Sequence, residues 1–433
     1  MIDYITTIKV EIFSLSPLSI GDKDQEPLIY DEGKTAYLPA TGIAGAFKAY
    51  LKFIGKDYKK LFGDQDKKGK SEMSSVIVKD SFAKIINYDR RSGVSISDKY
   101  GSNENNKKFE RNYLQKGMKF ELEFEIQASK NDMEELKNML YICLKALDKG
   151  IIRFGGSKSC GLGIFKVKKV LEDDYDLTEL KDLTKYLNNI EDKYDATSEV
   201  MGIKLDNHYV NFTVKGELST PLIIKGAEKL DSNDVDDRSI GLKLFNNKIE
   251  YFIPGSSFKG VLRSRAERIA NYFDSLDEAK EMFGELKEGR DNILSRVFVT
   301  ESAIEEEKES RYNRIKIDRF TGGVRHTALM NDIPVKGKTQ FDVMYRKKGN
   351  KRIDDYSIGL ITLALRDLAT ENLTLGGKDN IGRGRFRADT MKIDDGDSMI
   401  DIDFKNMFIS NTGRLNEYVR AVKSLTEEEG GDD

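Results

Sequence analysis

The most constraining feature of this 433-residue chain is a glycine pattern that occurs twice. Arg153 to Phe165 reads RFGGSKSCGLGIF, and Thr374 to Phe386 reads TLGGKDNIGRGRF. Gly155, Gly156, Gly161 and Gly163 return at 376, 377, 382 and 384, each 221 residues later. Further anchors keep step: Phe62-Gly63 with Phe283-Gly284 at 221, Asp98 with Asp318 at 220, and Leu38-Pro39 with Ile253-Pro254 at 215. Ser16-Pro17-Leu18 answers Thr220-Pro221-Leu222 at 204, so the second copy carries extra residues in the loop from Lys225 to Glu250. A spacing held over so many separate anchors predicts a duplicated domain.

Composition narrows the chemistry. Lys and Arg total 71 against 74 Asp and Glu, a formal charge of −3, so only local clusters can argue for a nucleic-acid partner. Clusters at 56–60, 67–70 and 346–352 are candidates, although such runs are commonly just solvated. Two cysteines without CxxC spacing suit a reducing cytoplasm, and two histidines leave little room for a zinc site or a histidine-rich nuclease. Any catalysis must rest on carboxylates. The absence of a long apolar run or a leader-like start predicts a soluble, cytoplasmic protein without membrane association.

Each copy reads as strand, long loop, helix, irregular excursion, strand, helix, glycine loop, strand. Met118 to Ile126 alternates strictly, with Phe120, Leu122, Phe124 and Ile126 on one face, as in an antiparallel strand wet on one side. The following helix is expected to be capped by Asn131 and to bury Leu136, Leu140, Cys143, Leu144 and Leu147. Two such units per domain predict an α+β fold with tandem ferredoxin-like, RRM-like domains. The expected division is 1–170, an acidic helical connector over 171–206, a second domain over 207–425, and an acidic tail over 426–433. The tail's Gly-Gly-Asp-Asp ending has no strand on its far side, so it does not read as a metal-binding turn.

At Tyr251 to Arg263, at Ile317 to Gly323 and at the last glycine loop, the chain resembles the RAMP superfamily of CRISPR-associated proteins. The likeness spans both copies and is nearest to the backbone subunits of type III effector complexes, fused in pairs as in type III-D-like systems. It implies guide RNA, target RNA and other type III effector subunits as partners. It also implies inserted thumb hairpins that wedge between guide and target, with Phe320, Leu329 and Met330 as the wedge and Arg325 on phosphate. In catalytic relatives an aspartate after the first strand cuts target RNA with a divalent ion. Asp24 and Asp236 are the matches here, as catalytic and metal-binding residues with Mg²⁺ or Mn²⁺, and Asp22, Asp234 and Asp237 are weaker ones. Neither loop keeps the family's Asp-x-Pro spacing, and acidic loops are common on surfaces. The first copy diverges more, with Ala44 where the second has Lys259.

The residues themselves support RNA contact at two places. Pro254 to Gly260 leads into a helix, and its open backbone N–H groups, with Lys259, Arg263 and the counterpart Lys48, suit a phosphate. The plainer reading is a capped helix with incidental surface cations. The glycine loops, through Gly155, Gly156, Gly376 and Gly377, would let a polynucleotide approach the main chain, with Lys158, Lys378, Arg383 and Arg385 as counter-charge. The plainer reading there is a tight turn. Neither loop has a P-loop's spacing, which argues against ATP. His326 lacks a paired carboxylate and reads as an ordinary polar residue. Three functions compete: a guide-gripping subunit that cuts target RNA, the same scaffold without cutting, and a metal-free guide-processing endoribonuclease.

Overall fold

The computed structural model describes residues 2–21, 29–30, 35–65, 71–96, 103–226, 237–243, 249–285 and 292–425. The chain divides into two units: unit 1 holds Met1–Asp89, Arg111–Lys158 and Leu162–Asp206, and unit 2 holds Arg90–Glu110, Ser159–Gly161 and Asn207–Asp433. Both are mixed α+β with antiparallel main sheets.

In unit 1 the chain forms β1 (Tyr4–Ser14), α1 (Ala40–Phe53), β2 (Val76–Val78), β3 (Lys119–Ala128), α2 (Lys130–Asp148) and β4 (Phe165–Asp176). The strands lie in the order β4-β1-β3-β2, with a short strand at Tyr194–Asp195 on the outer edge of β4. Alternation does what it predicts: Phe120, Leu122, Phe124 and Ile126 are buried and face Ile8, Val10 and Ile12 of β1 across the ladder. Leu136, Leu140, Cys143, Leu144 and Leu147 of α2 complete the core with Phe47 and Leu51 of α1. Ser129, not Asn131, caps α2. Its Oγ accepts from Asp132 N and donates to the Asp132 carboxylate at 2.6 Å, a reciprocal arrangement open to serine one residue before the first turn and closed to Asn131 within it. The stretch 171–206, expected as a connector, lies in unit 1, where β4 runs on to Asp176 and Ala196 and Val200 join the core.

Unit 2 repeats the plan with β5 (Tyr209–Leu218), α3 (Gly255–Tyr272), β6 (Val297–Val299), β7 (Val335–Arg346), α4 (Lys351–Ala369) and β8 (Arg385–Asp394). The order is β8-β5-β7, with β6 also on β7. Small irregularities recur as well. The bulge between Glu11 and Ile12 against β4 returns between Lys215 and Gly216 against β8. The edge-on pair Phe120–Phe165, with ring centroids 5.9 Å apart, returns as Phe341–Phe386 at 5.0 Å. Asn350 caps α4 at the position matching Ser129. Strands at Met399–Asp403 and Phe408–Ile409 extend the sheet beyond β8, and a helix at Thr412–Ser424 packs Tyr418 and Val422 into the core. The tail 426–433 lies outside the described residues.

Candidate nucleic-acid interface

In each repeat the Pro-Leu loop is stitched to a strand end and then to the glycine loop. Leu18 exchanges backbone hydrogen bonds with Leu114 at 2.9 and 3.0 Å, and Leu222 does the same with Val335 at 2.8 and 3.0 Å. Gly156 N donates to Ser19 O at 2.6 Å and Gly163 N to Pro17 O at 3.0 Å. The second repeat matches these with Gly377 N to Ile223 O at 2.9 Å and Gly384 N to Pro221 O at 3.0 Å. The glycines serve this seam. A Cβ on Gly155 would lie 2.6 Å from Ser19 O, one on Gly376 2.4 Å from Ile223 O, and both residues have positive φ.

In unit 1 the seam opens onto a groove of about 430 Å³. Ser19, Ile20 and Gly21 of the Pro-Leu loop line one side, Phe154 to Ser157 of the glycine loop another, and Leu38, Pro39, Thr41 and Gly42 at the start of α1 a third, with Arg111 beside them. Three motifs far apart in sequence thus meet at one glycine-lined groove of mixed polar and apolar character. Pro39 provides no side-chain cap to α1, and Asp80 accepts from Ala40 N at 2.7 Å. Lys158 is exposed on the same glycine loop, and the buried Arg153 fixes that loop by donating to Lys158 O at 2.5 Å.

The cations singled out at the helix starts turn inward. Lys48 Nζ donates to Gly63 O at 3.0 Å and pairs with Asp64 at 3.0 Å. Arg263 Nη1 donates to the equivalent Gly284 O at 3.0 Å and Nε to Glu267 at 2.6 Å. Lys259 is buried and donates to Ser295 Oγ at 2.8 Å. These side chains tie each helix to the Phe-Gly turn behind it. Ser74 and Ser295, which bond the backbone of Val76 and Val297 in the same way, were readable from the 221-residue spacing.

In the second glycine loop, Lys378 and Arg383 also face inward, toward Asp332. This wholly buried carboxylate meets Lys378 Nζ at 2.5 Å, Arg383 Nη2 at 3.4 Å and the Arg314 guanidinium. Arg383 further stacks on the Tyr312 ring at 4.6 Å. Arg385 remains exposed and donates to Glu371 O at 2.9 Å. Arg314 and Asp332 belong to an antiparallel hairpin, Tyr312–Ile317 with Val324–Ile333. At its tip the Asp318 carboxylate accepts from Phe320 N and Thr321 N at 3.0 Å each, leaving the Phe320 ring 100% exposed. Arg325 pairs with Asp318 at 3.5 Å, and Met330 is half-buried. The His326 side chain lies outside the described residues.

Of the candidate aspartates, Asp22, Asp24, Asp234 and Asp236 lie outside the described residues. Asp237 pairs in register with Asp332 and bonds Lys225 at 2.5 Å and Lys378 at 2.6 Å. Burial pushes its carboxyl up, but the two ammonium groups outweigh burial and hold it below the usual carboxylate range. A carboxylate shared between two lysines does not suit a metal. Among the described residues no group of three or more His, Cys, Asp or Glu side chains is placed to hold a metal ion. Nor is any helix among them long and apolar enough to cross a membrane.

Two copies of one antiparallel α+β domain, each docking a glycine loop on a Pro-Leu loop, define a tandem-domain protein. The model of the RAMP superfamily matches residues 12–166 and again 215–387, and the chain belongs to that superfamily. Membership makes it a CRISPR-associated, RNA-binding protein. No curated protein matches it.

Proposed function

We propose that the chain is a fused pair of type III effector backbone subunits that grips guide RNA and works with other effector subunits on complementary target RNA. The observation that carries this reading is the convergence of Pro-Leu loop, glycine loop and helix start on one groove beside Arg111. Such a channel brings main-chain amides and hydroxyls to a ribose-phosphate strand, which needs no base-specific pocket. The strand order β4-β1-β3-β2 supports the ferredoxin-like assignment. The exposed Phe320 tip supports the hairpin as a thumb.

The double variant Arg111→Glu, Lys158→Glu tests the groove. Filter binding to a synthetic guide-length RNA near 150 mM salt is expected to weaken about tenfold or more, with a shallower salt slope by about 1 to 2. Wild-type affinity in a folded variant refutes the groove.

We assign target cleavage to Asp24 and Asp236. Asp24 lies three positions beyond Gly21, a groove residue, and Asp236 directly precedes the anchored Asp237. When bound, Mg²⁺ or Mn²⁺ would supply charge neutralisation at the scissile phosphate. In the assembled complex, Asp24→Ala with Asp236→Ala is expected to abolish cleavage of complementary RNA at the sites these loops serve while leaving RNA affinity within about twofold. Unchanged cleavage would leave a guide-gripping scaffold.

A further inference from the structure

Three positions that line the groove of unit 1 carry different residues in unit 2. Gly21 answers Lys225, Arg111 answers Asp332 and Ser157 answers Lys378. Matching bonds fix these correspondences. Leu18 bonds Leu114 in one copy and Leu222 bonds Val335 in the other; Gly21 and Lys225 follow the leucines at equal spacing, and Arg111 and Asp332 precede their partners at equal spacing. Ser157 and Lys378 each follow the paired glycines and share a left-handed φ, of 50° and 66°.

The three unit 2 residues are joined through one further carboxylate. Lys225 Nζ meets Asp237 at 2.5 Å and Lys378 Nζ meets the same side chain at 2.6 Å, while Lys378 also reaches Asp332 at 2.5 Å. An ion chain thus runs from Lys225 through Asp237 and Lys378 to Asp332, at the positions where the first copy has Gly21, Ser157 and Arg111. Asp237 comes from the loop that the second copy lengthens, Lys225 to Glu250. That loop lies along the hairpin: Asp237 and Arg238 pair with Asp332 and Ile333, and Ser239 N donates to Ile333 O at 3.2 Å. Two carboxylates in register on neighbouring strands repel, and Lys378 between them offsets the repulsion.

To a lysine, a carboxylate offers what a phosphate oxygen offers, a compact anion that accepts charge-assisted hydrogen bonds. The Asp237 side chain is 12% exposed and holds the place between two ammonium groups that a strand's phosphate would need. A backbone phosphate carries one negative charge, as Asp237 does, so its entry would exchange one anion for another and gain little.

We propose that the lengthened loop closes the second copy's groove, with the Asp237 and Asp332 carboxylates as internal stand-ins for RNA phosphate. Each chain then holds one strand in a groove of this kind, that of unit 1. The inference rests on the reading of the unit 1 groove as an RNA site, and it concerns the gripped strand only, so the assignment of Asp236 to target RNA is untouched.

Cross-link mapping on the full chain tests it. The protein is irradiated with a short oligoribonucleotide carrying 4-thiouridine, and the linked peptides are identified by mass spectrometry. In the wild type, links are expected on Ser19–Gly21, Pro39–Gly42 and Gly155–Ser157 and not on Ile223–Lys225 or Gly376–Lys378. Asp237→Asn removes the anion between the two lysines while Asp332 still anchors Lys378. It is expected to add links on Ile223–Lys225 and Gly376–Lys378 and to steepen the salt dependence of oligonucleotide binding by about 1. Wild-type links in both copies overturn the closure and leave the groove reading intact, whereas a wild type without links in the unit 1 groove overturns that reading and the closure with it. A folded Asp237→Asn chain with the wild-type map refutes the role of Asp237. The wild-type map alone decides whether the second groove is closed, even where the variant does not fold.

Discussion

Replacing Asp332 by alanine is expected to destabilise unit 2 by about 3–5 kcal/mol, the cost of stripping one partner from a buried ion cluster. The carboxylate is wholly buried and is shared by Arg314, Lys378 and Arg383. Arg314 Nε and Arg383 Nε are already buried without a hydrogen-bond partner among the described residues, so little slack remains to re-solvate the cations once the carboxylate is gone. Asp237 keeps a hold on Lys378, which places the loss mainly on the two arginines. Urea denaturation of the full chain should resolve the unit 2 transition, and a loss below about 1 kcal/mol would mean that water reaches the cluster and neutralises its cost. Because Arg314 and Asp332 lie on the hairpin and Lys378 and Arg383 on the glycine loop, the same variant should raise amide exchange in Tyr312–Ile333.

The second large effect is expected at Gly384. A Cβ there would stand 1.9 Å from Leu375 O, and φ is 75°, so alanine meets both a backbone clash and a left-handed conformation. No side-chain rotamer relieves a carbonyl oxygen. Gly384→Ala is expected to cost more than about 3 kcal/mol and to lower soluble yield, in the range where mutations mark a specific steric failure. Gly382→Ala provides the contrast, since φ is 79° but its Cβ meets nothing within 4 Å among the described residues, and the left-handed conformation alone costs about 1–2 kcal/mol. Equal melting temperatures for the two variants would refute the steric account. The same clash recurs in the first repeat, where a Cβ on Gly163 would stand 1.9 Å from Phe154 O.

Much of the architecture was legible because it is written in period and spacing. Alternation marks the buried face of β3, and the glycine spacing marks the duplication. The cations were less legible. Lys48, Arg263, Lys378 and Arg383 have the residue type that a phosphate needs, but a long flexible side chain can equally fold back onto a carbonyl or a buried carboxylate, and sequence does not record that direction. Asp332 was invisible for a related reason: one acid at the end of a polar hairpin reads as solvated until the three cations around it are placed. The cap of α2 shows the limit at single-residue scale, since Ser129 and Asn131 are both good cap types two positions apart.

The seam between Pro-Leu loop and glycine loop is made of main-chain atoms in both copies. An architecture held this way tolerates wide change in the side chains around it, because substitution rarely touches an amide or a carbonyl. One copy can therefore keep its frame while its chemistry drifts, as with Ala40 opposite Gly255 and Ala44 opposite Lys259. A single polypeptide that carries both versions therefore holds two copies of one frame that cannot stand in for each other.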